Sequence, residues 1–186
     1  AIASGGLVGI QGQNMSRVTL SNNELPVPTT LGEACLTINN VKAPLFAVSP
    51  GQINAQIPYE VSGNATMVLR TPGGMSDPFT LSVAASAPAV FHTATAGPEA
   101  GLAALYRAVN GEPVTLSNPV HPGDYLVIYA TGLGATSPSV ATGAAAPADP
   151  LANAIILPSV RLGGVASLHA GNGHAGGRRY RRSRGP

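Results

Sequence analysis

Turn-forming residues punctuate this chain so closely that no apolar run between them has room for a helix. Gly and Pro number 23 and 17 of 186 residues, and Asn and Ser fill many of the remaining breaks. Short apolar runs bounded in this way are strands, because a helix needs roughly ten or more residues to bury a face. Charged residues make up only 10% of the chain and hydrophobic ones 44%, against roughly 25% charged in an average domain. Enough apolar surface is present to build a core, so disorder is not the default despite the Gly and Pro content.

The runs read as follows. Gly6 to Gln11 is a first strand. Leu36 to Asn39 places Leu36 and Ile38 on one face and Cys35 and Thr37 on the other. Asn39-Asn40 is a hairpin turn, since Asn tolerates positive φ. Ala43 to Val48 returns, and Ser49-Pro50-Gly51 turns again. In Gln52 to Ile57 the residues Ile53, Ala55 and Ile57 alternate with Gln52, Asn54 and Gln56, the period of a half-buried strand. Thr66 to Thr71 ends at Pro72-Gly73-Gly74, and Pro78 to Val83 sets Phe79, Leu81 and Val83 on one face. About seven strands in this span is the count of an immunoglobulin-like sandwich.

Ala84 to Pro88 is small and Pro-terminated and marks a junction. Beyond it lie strands at Gly101 to Tyr106 and Tyr125 to Ala130, with turns at Asn110-Gly111 and Pro122-Gly123. Ser137 to Pro150 is a long loop, Ala154 to Leu157 and Ser159 to Leu162 are strand-like, and Gly163-Gly164 turns the chain. Two strings recur in order. Gly6 to Ile10 is similar to Tyr125 to Tyr129, and Leu36 to Leu45 to Val160 to Leu168. Together they suggest two copies of one module.

The second copy breaks off after Val165, where A-S-L-H-A-G-N-G-H-A-G-G-R-R-Y-R-R-S-R-G-P shows no alternation and predicts no strands. The expected fold is therefore all-β: two immunoglobulin-like β-sandwich modules over 1–84 and 88–168, the second incomplete, and a disordered Gly/Arg-rich tail over 169–186. Gly, Ala, Arg and His dominate the tail as they would if GC-rich DNA were read out of frame, and a truncated or out-of-frame end is the expectation. The chain begins without Met inside a strand-like pattern, as a fragment or processed segment would.

Four strings resemble a known family. They are G-G-L-V-G-I-Q-G-Q-N from Gly5, L-P-V-P-T-T-L-G-E-A from Leu25, I-N-N-V-K-A-P-L-F-A-V-S-P-G-Q-I-N-A-Q-I-P-Y-E-V from Ile38, and H-P-G-D-Y-L-V-I-Y-A-T-G-L-G-A-T-S-P from His121. They are similar to the uncharacterised C-terminal domain family first catalogued in Solibacter, found at the ends of large secreted acidobacterial proteins. The resemblance runs from about Gly5 to Ala166. It implies immunoglobulin-like or IPT/TIG-like sandwiches attached to exported proteins, with no established activity and no catalytic residues to carry over.

Chemistry-bearing residues are few. The lone Cys35 can form neither an internal disulfide nor a cysteine metal cage. His92, His121, His169 and His174 accompany no G-x-S-x-G elbow. Asp124 follows His121 across Pro122-Gly123 and reads as a turn. His169 and His174 are too few for a zinc site, and Asp77, Asp124 and Asp149 are isolated. Gly132-Leu133-Gly134 follows a strand like a dinucleotide loop, but Pro138 denies it a helix, so a tight turn is expected. No catalytic, cofactor or metal residue is assigned.

Arg178, Arg179, Arg181, Arg182 and Arg184 crowd the end, while the rest holds five basic residues against all eight acidic ones. A basic-protein case for nucleic acid therefore fails outside the tail, where R-R-Y-R-R-S-R with Tyr180 could bind phosphates. The expected role is a non-catalytic structural or adhesion module at or outside the cell surface. Its partners would be other domains of a parent protein and a surface protein or polysaccharide. The alternatives are a polysaccharide-binding accessory module of a secreted enzyme, and nucleic acid binding through the tail. Against the polysaccharide alternative, Phe46, Phe79, Tyr125 and Tyr129 lie in strand patterns expected to face a core.

Overall fold

A two-residue turn at Asn39-Asn40 seeds the first hairpin. Both residues adopt positive φ, 50° and 64°, the conformation that matches the right-handed twist of the strands they join. The Asn39 side chain also accepts from the Thr66 N–H at 2.8 Å, pinning the turn to a third strand. In this computed structural model residues 1–93, 97 and 100–162 are described in full, with the backbone of 165–166, 169–170 and 178–181.

The chain is all-β. The strands of the first segment are β1 (Ile2–Ala3), β2 (Leu7–Gln11), β3 (Leu20–Ser21), β4 (Cys35–Ile38), β5 (Val41–Lys42), β6 (Leu45–Val48), β7 (Gln52–Gln56), β8 (Gly63–Thr71), β9 (Gly74–Met75) and β10 (Phe79–Ala84). One sheet runs β1-β10-β8-β4-β5, with β9 also on β8, and a second runs β2-β7-β6-β3. All pairs are antiparallel except β1 on β10.

Both sheets feed one interior. Leu36 and Ile38 from β4, Leu45 and Val48 from β6, Ile53 and Ala55 from β7, Ala65 from β8 and Val83 from β10 belong to a single buried cluster. The alternation at Ile53, Ala55 and Ile57 is as expected, with all three at 1% exposure or less. Each such Leu or Ile gains about 1.5–3 kcal/mol over an exposed position.

The later strands are β11 (Ala89–Val90), β12 (Leu105–Arg107), β13 (Tyr125–Ile128), β14 (Ala130–Thr131), β15 (Thr136–Ser137), β16 (Asn153–Ala154), β17 (Arg161–Leu162), β18 (Val165–Ala166), β19 (His169–Ala170) and β20 (Arg178–Arg181). They form a four-stranded sheet, β12-β13-β20-β19, and the pairs β11-β14, β15-β16 and β17-β18. No sheet among them draws on a strand before Ala85. The paired strings seen in the sequence become like hairpins: Ile38 faces Val41 as Leu162 faces Val165. Gly163-Gly164 lies outside the described residues.

Two sequence expectations differ from the structure. The first concerns the stretch after Val165. Its backbone contributes β20, which pairs with β13, Leu126 facing Tyr180. Strand pairing uses main-chain groups that every residue carries, so an open edge can be completed without side-chain alternation. The second concerns the aromatics. Phe46 is half-buried, whereas Phe79, Tyr125 and Tyr129 are 61%, 50% and 43% exposed. Phe79 opens β10 at the far end from buried Val83, and a period of two fixes a face but not a depth along it. In the apolar run of β13 the buried residue is Leu126, which turns Tyr125 outward.

Candidate functional site

Among the described residues the ionisable side chains converge at one place, around Arg107. The end of β12 buries this side chain to 9% exposure. Its Nε donates to Asp124 Oδ2 at 3.2 Å. Its Nη2 donates to the Pro119 carbonyl and lies 3.3 Å from His121 Nδ1. Asp124 Oδ2 also accepts from the His121 N–H at 2.9 Å, and the Asp124 N–H returns to the His121 carbonyl at 3.1 Å. His121 to Asp124 is thus a turn, as its Pro-Gly centre requires. What the sequence did not disclose is Arg107, which lies 14 residues upstream of His121; only its position at the end of a strand could have flagged it.

The His121 backbone N–H, first, and then the Arg107 guanidinium hold the Asp124 carboxyl below its ordinary value, against desolvation that would raise it. A carboxylate with depressed basicity and a saturated oxygen is a poor proton acceptor. The cluster braces the 107–124 excursion to the start of β13.

Elsewhere among the described residues the chemistry-bearing residues stay apart. His92, Asp77 and Asp149 are exposed. Cys35 is half-buried on β4 opposite Arg70, on the face away from Leu36 and Ile38. No group of three His, Cys, Asp or Glu that could hold a metal occurs among the described residues. His174, the side chain of His169, and those of Tyr180 and the terminal arginines lie outside the described residues. No helix of the described residues is long and apolar enough to cross a membrane.

The Gly132-Leu133-Gly134 string has a definite place. Both glycines adopt positive φ, 72° and 81°, so the turn expected from the sequence is present. They also press against the chain that joins the two segments. A Cβ on Gly132 would lie 2.2 Å from the Ala87 carbonyl oxygen, and one on Gly134 2.0 Å from that of Ala85. The Ala87 N–H donates to the Gly132 carbonyl at 2.8 Å. Further contacts extend this seam. Leu7 N–H donates to Thr131 Oγ1 at 2.7 Å. Thr142 Oγ1 accepts from the Tyr59 N–H and donates to Glu60 Oε2. Gly143 N–H donates to Gln56 Oε1, and its carbonyl accepts from Val27. The loop from Pro138 to Asn153 is therefore anchored on the first segment by specific polar groups.

Beside this seam lies a cleft of about 250 Å³, walled by Leu7 and Tyr59 from the first segment and Phe91, Tyr129, Thr131 and Leu133 from the second. Burial pushes the Tyr59 hydroxyl up from its ordinary value, so it stays protonated. Tyr129 meets Tyr106 edge to face, with centroids 5.3 Å apart, which fixes the ring. Apart from its tyrosines the lining holds no ionisable side chain. The seam and its cleft are the candidate functional site. Comparison of the chain with protein-family models, with curated proteins and with solved structures finds no match.

Proposed function

We propose that the chain is a non-catalytic, extracellular structural or adhesion module of a larger exported bacterial protein, built on immunoglobulin-like sandwiches. The observation that carries this reading is the set of contacts across the segments, Leu7 to Thr131, Tyr59 and Glu60 to Thr142, and Gln56 to Gly143, with Gly132 and Gly134 packed on the joining chain between them. Contacts of that closeness hold two segments in one orientation, which is what a spacer or display platform requires. The Arg107–Asp124–His121 cluster, spent on bracing a loop, fits the same role better than it fits proton transfer. The exported setting rests on the family resemblance of the four strings.

Spin labels at Lys42→Cys and Val109→Cys, with Cys35→Ser, test the fixed orientation by pulsed electron resonance. One narrow distance is expected, broadened by Gly134→Val. A broad distribution in the chain with native Gly134 contradicts the spacer reading, as does turnover of a chromogenic ester or glycoside.

A second reading, a saccharide-binding accessory module, gains from the outward placement of Phe79, Phe91, Tyr125 and Tyr129. Exposed rings are what such modules need.

A further inference from the structure

Phe91 and Tyr129 are 41% and 43% exposed and line one cleft. Neither is left there by chance of a frayed end. Phe91 is held by a hydrogen bond from its N–H to the Tyr129 carbonyl at 2.9 Å, and Tyr129 by its edge contact with Tyr106. Across the cleft the Tyr59 ring lies over Gly5, where a Cβ would come within 2.2 Å of Cε1. Gly5 therefore leaves the space in which that ring is seated. The phenol hydroxyls of Tyr59 and Tyr129 make no hydrogen bond to any described residue. Tyr129 is exposed and the Tyr59 hydroxyl is not among the buried atoms left without a partner, so both face solvent, where a ligand hydroxyl can take the place of water.

We infer that this cleft binds a neutral saccharide, with the rings of Phe91 and Tyr129 as the stacking surface and the Tyr59 and Tyr129 hydroxyls as hydrogen-bonding groups. A pyranose presents a face of C–H groups to an aromatic ring and a rim of hydroxyls to polar groups. Each sugar hydroxyl both donates and accepts, as a phenol does. A charged ligand would lose its hydration in this cleft without meeting a counter-charge. A proline-rich peptide offers carbonyl acceptors and, at proline, no N–H donor, so it would use only half of what the hydroxyls provide. The volume of about 250 Å³ is below the roughly 300–1,000 Å³ of drug-sized pockets and suits one ring of a longer chain. Because its walls come from both segments, the site exists only while the seam is closed.

The inference rests on the second reading above, and its test separates the two. The intact chain, labelled with ¹⁵N, is titrated with cellotetraose, maltotetraose and the N-acetylglucosamine tetramer, and separately with a polyproline peptide. At least one sugar should shift the amide signals of Leu7, Thr131 and Gly132, with a dissociation constant of about 1 mM. Tyr129→Ala should weaken this about tenfold, and Tyr129→Phe, which keeps the ring, only a few-fold. Unchanged amide signals from Arg107 and Leu126, in the strands beside Tyr129, certify the fold of the second segment. Should Tyr129→Ala disturb the fold through Tyr106, Phe91→Ala takes its place. Silence from all three sugars overturns the inference, as does a shift of the same signals by polyproline alone, or undiminished sugar binding in a folded Tyr129→Ala and Phe91→Ala. Mass spectrometry of the recovered sugar reports separately. A cleaved sugar would refute the non-catalytic role, whereas an unbound one would leave the spacer role standing.

Discussion

Residues 1–84 and 89–162 carry similar short apolar strands, yet their interiors differ. The first segment holds Leu36, Ile38, Leu45, Ile53 and Ile57 at 0–1% exposure. In the second, the buried hydrophobics among the described residues are Ala104, Leu126, Ala152 and Ala154, while Ile155, Ile156 and Leu157 are 65%, 47% and 64% exposed. Two sheets facing one another give the first segment its shared cluster. The second relies on the Arg107 brace and on the glycine seam, interactions that fix geometry more than they remove apolar surface from water. Stability should therefore reside in the first segment, and the order of the second should depend on staying docked to it.

The sharpest way to break this contrast is to cut matching holes. Ile53→Ala should cost about 4 kcal/mol and Leu126→Ala about 2 kcal/mol in urea unfolding followed by circular dichroism, because a sparse surround collapses more readily onto the missing atoms. Equal losses would remove the contrast. Next comes the seam. Gly134→Ala places a methyl group against the Ala85 carbonyl at positive φ and should cost about 2 kcal/mol, with amide exchange accelerating in the second segment alone. A smaller effect is expected at the first hairpin. Asn39→Ala forfeits the Thr66 hydrogen bond and a residue tolerant of φ near 50°, for about 1 kcal/mol, read from the thermal midpoint.

The smallest effect is a pH dependence confined to the second segment. The Asp124 pKa lies below its ordinary value of 3.8. Its contribution is therefore complete above that value and is lost as pH falls through the lower folded value. Asp124→Asn should flatten the acid limb measured by signals from β12 and β13 and leave that of Ile53 unchanged. An identical acid limb in both proteins would deny Asp124 its bracing role.

Much of the first segment could be read from its residues. Ile53, Ala55 and Ile57 alternate cleanly with Gln and Asn, and Asn39-Asn40 names its own turn, because both signals are local. The tight Leu31–Ala34 turn, with positive φ at Gly32 and Glu33, carries little local signal, since Glu rarely adopts positive φ. Phe79 shares the face of Val83 yet lies outside the core, because alternation gives no depth. The run Tyr125 to Tyr129 is apolar on both faces, so nothing local says which side is covered. Arg107 reaches Asp124 and His121 only through the return of the chain, and the Tyr59–Tyr129 cleft joins residues 70 positions apart in the numbering of the chain. The glycines of Y-A-T-G-L-G were legible as a turn, but their pressing against Ala85 and Ala87 was not, since a sequence shows where φ must be positive and not what the bare backbone approaches.

Hydrogen exchange of the intact chain in rising urea, resolved by mass spectrometry, measures the contrast most directly. Amides of β4, β6 and β7 should stay protected to the main transition, while those of β12 and β13 exchange at lower urea. Loss of protection in both segments at one urea concentration would contradict a stable first segment with a dependent second one.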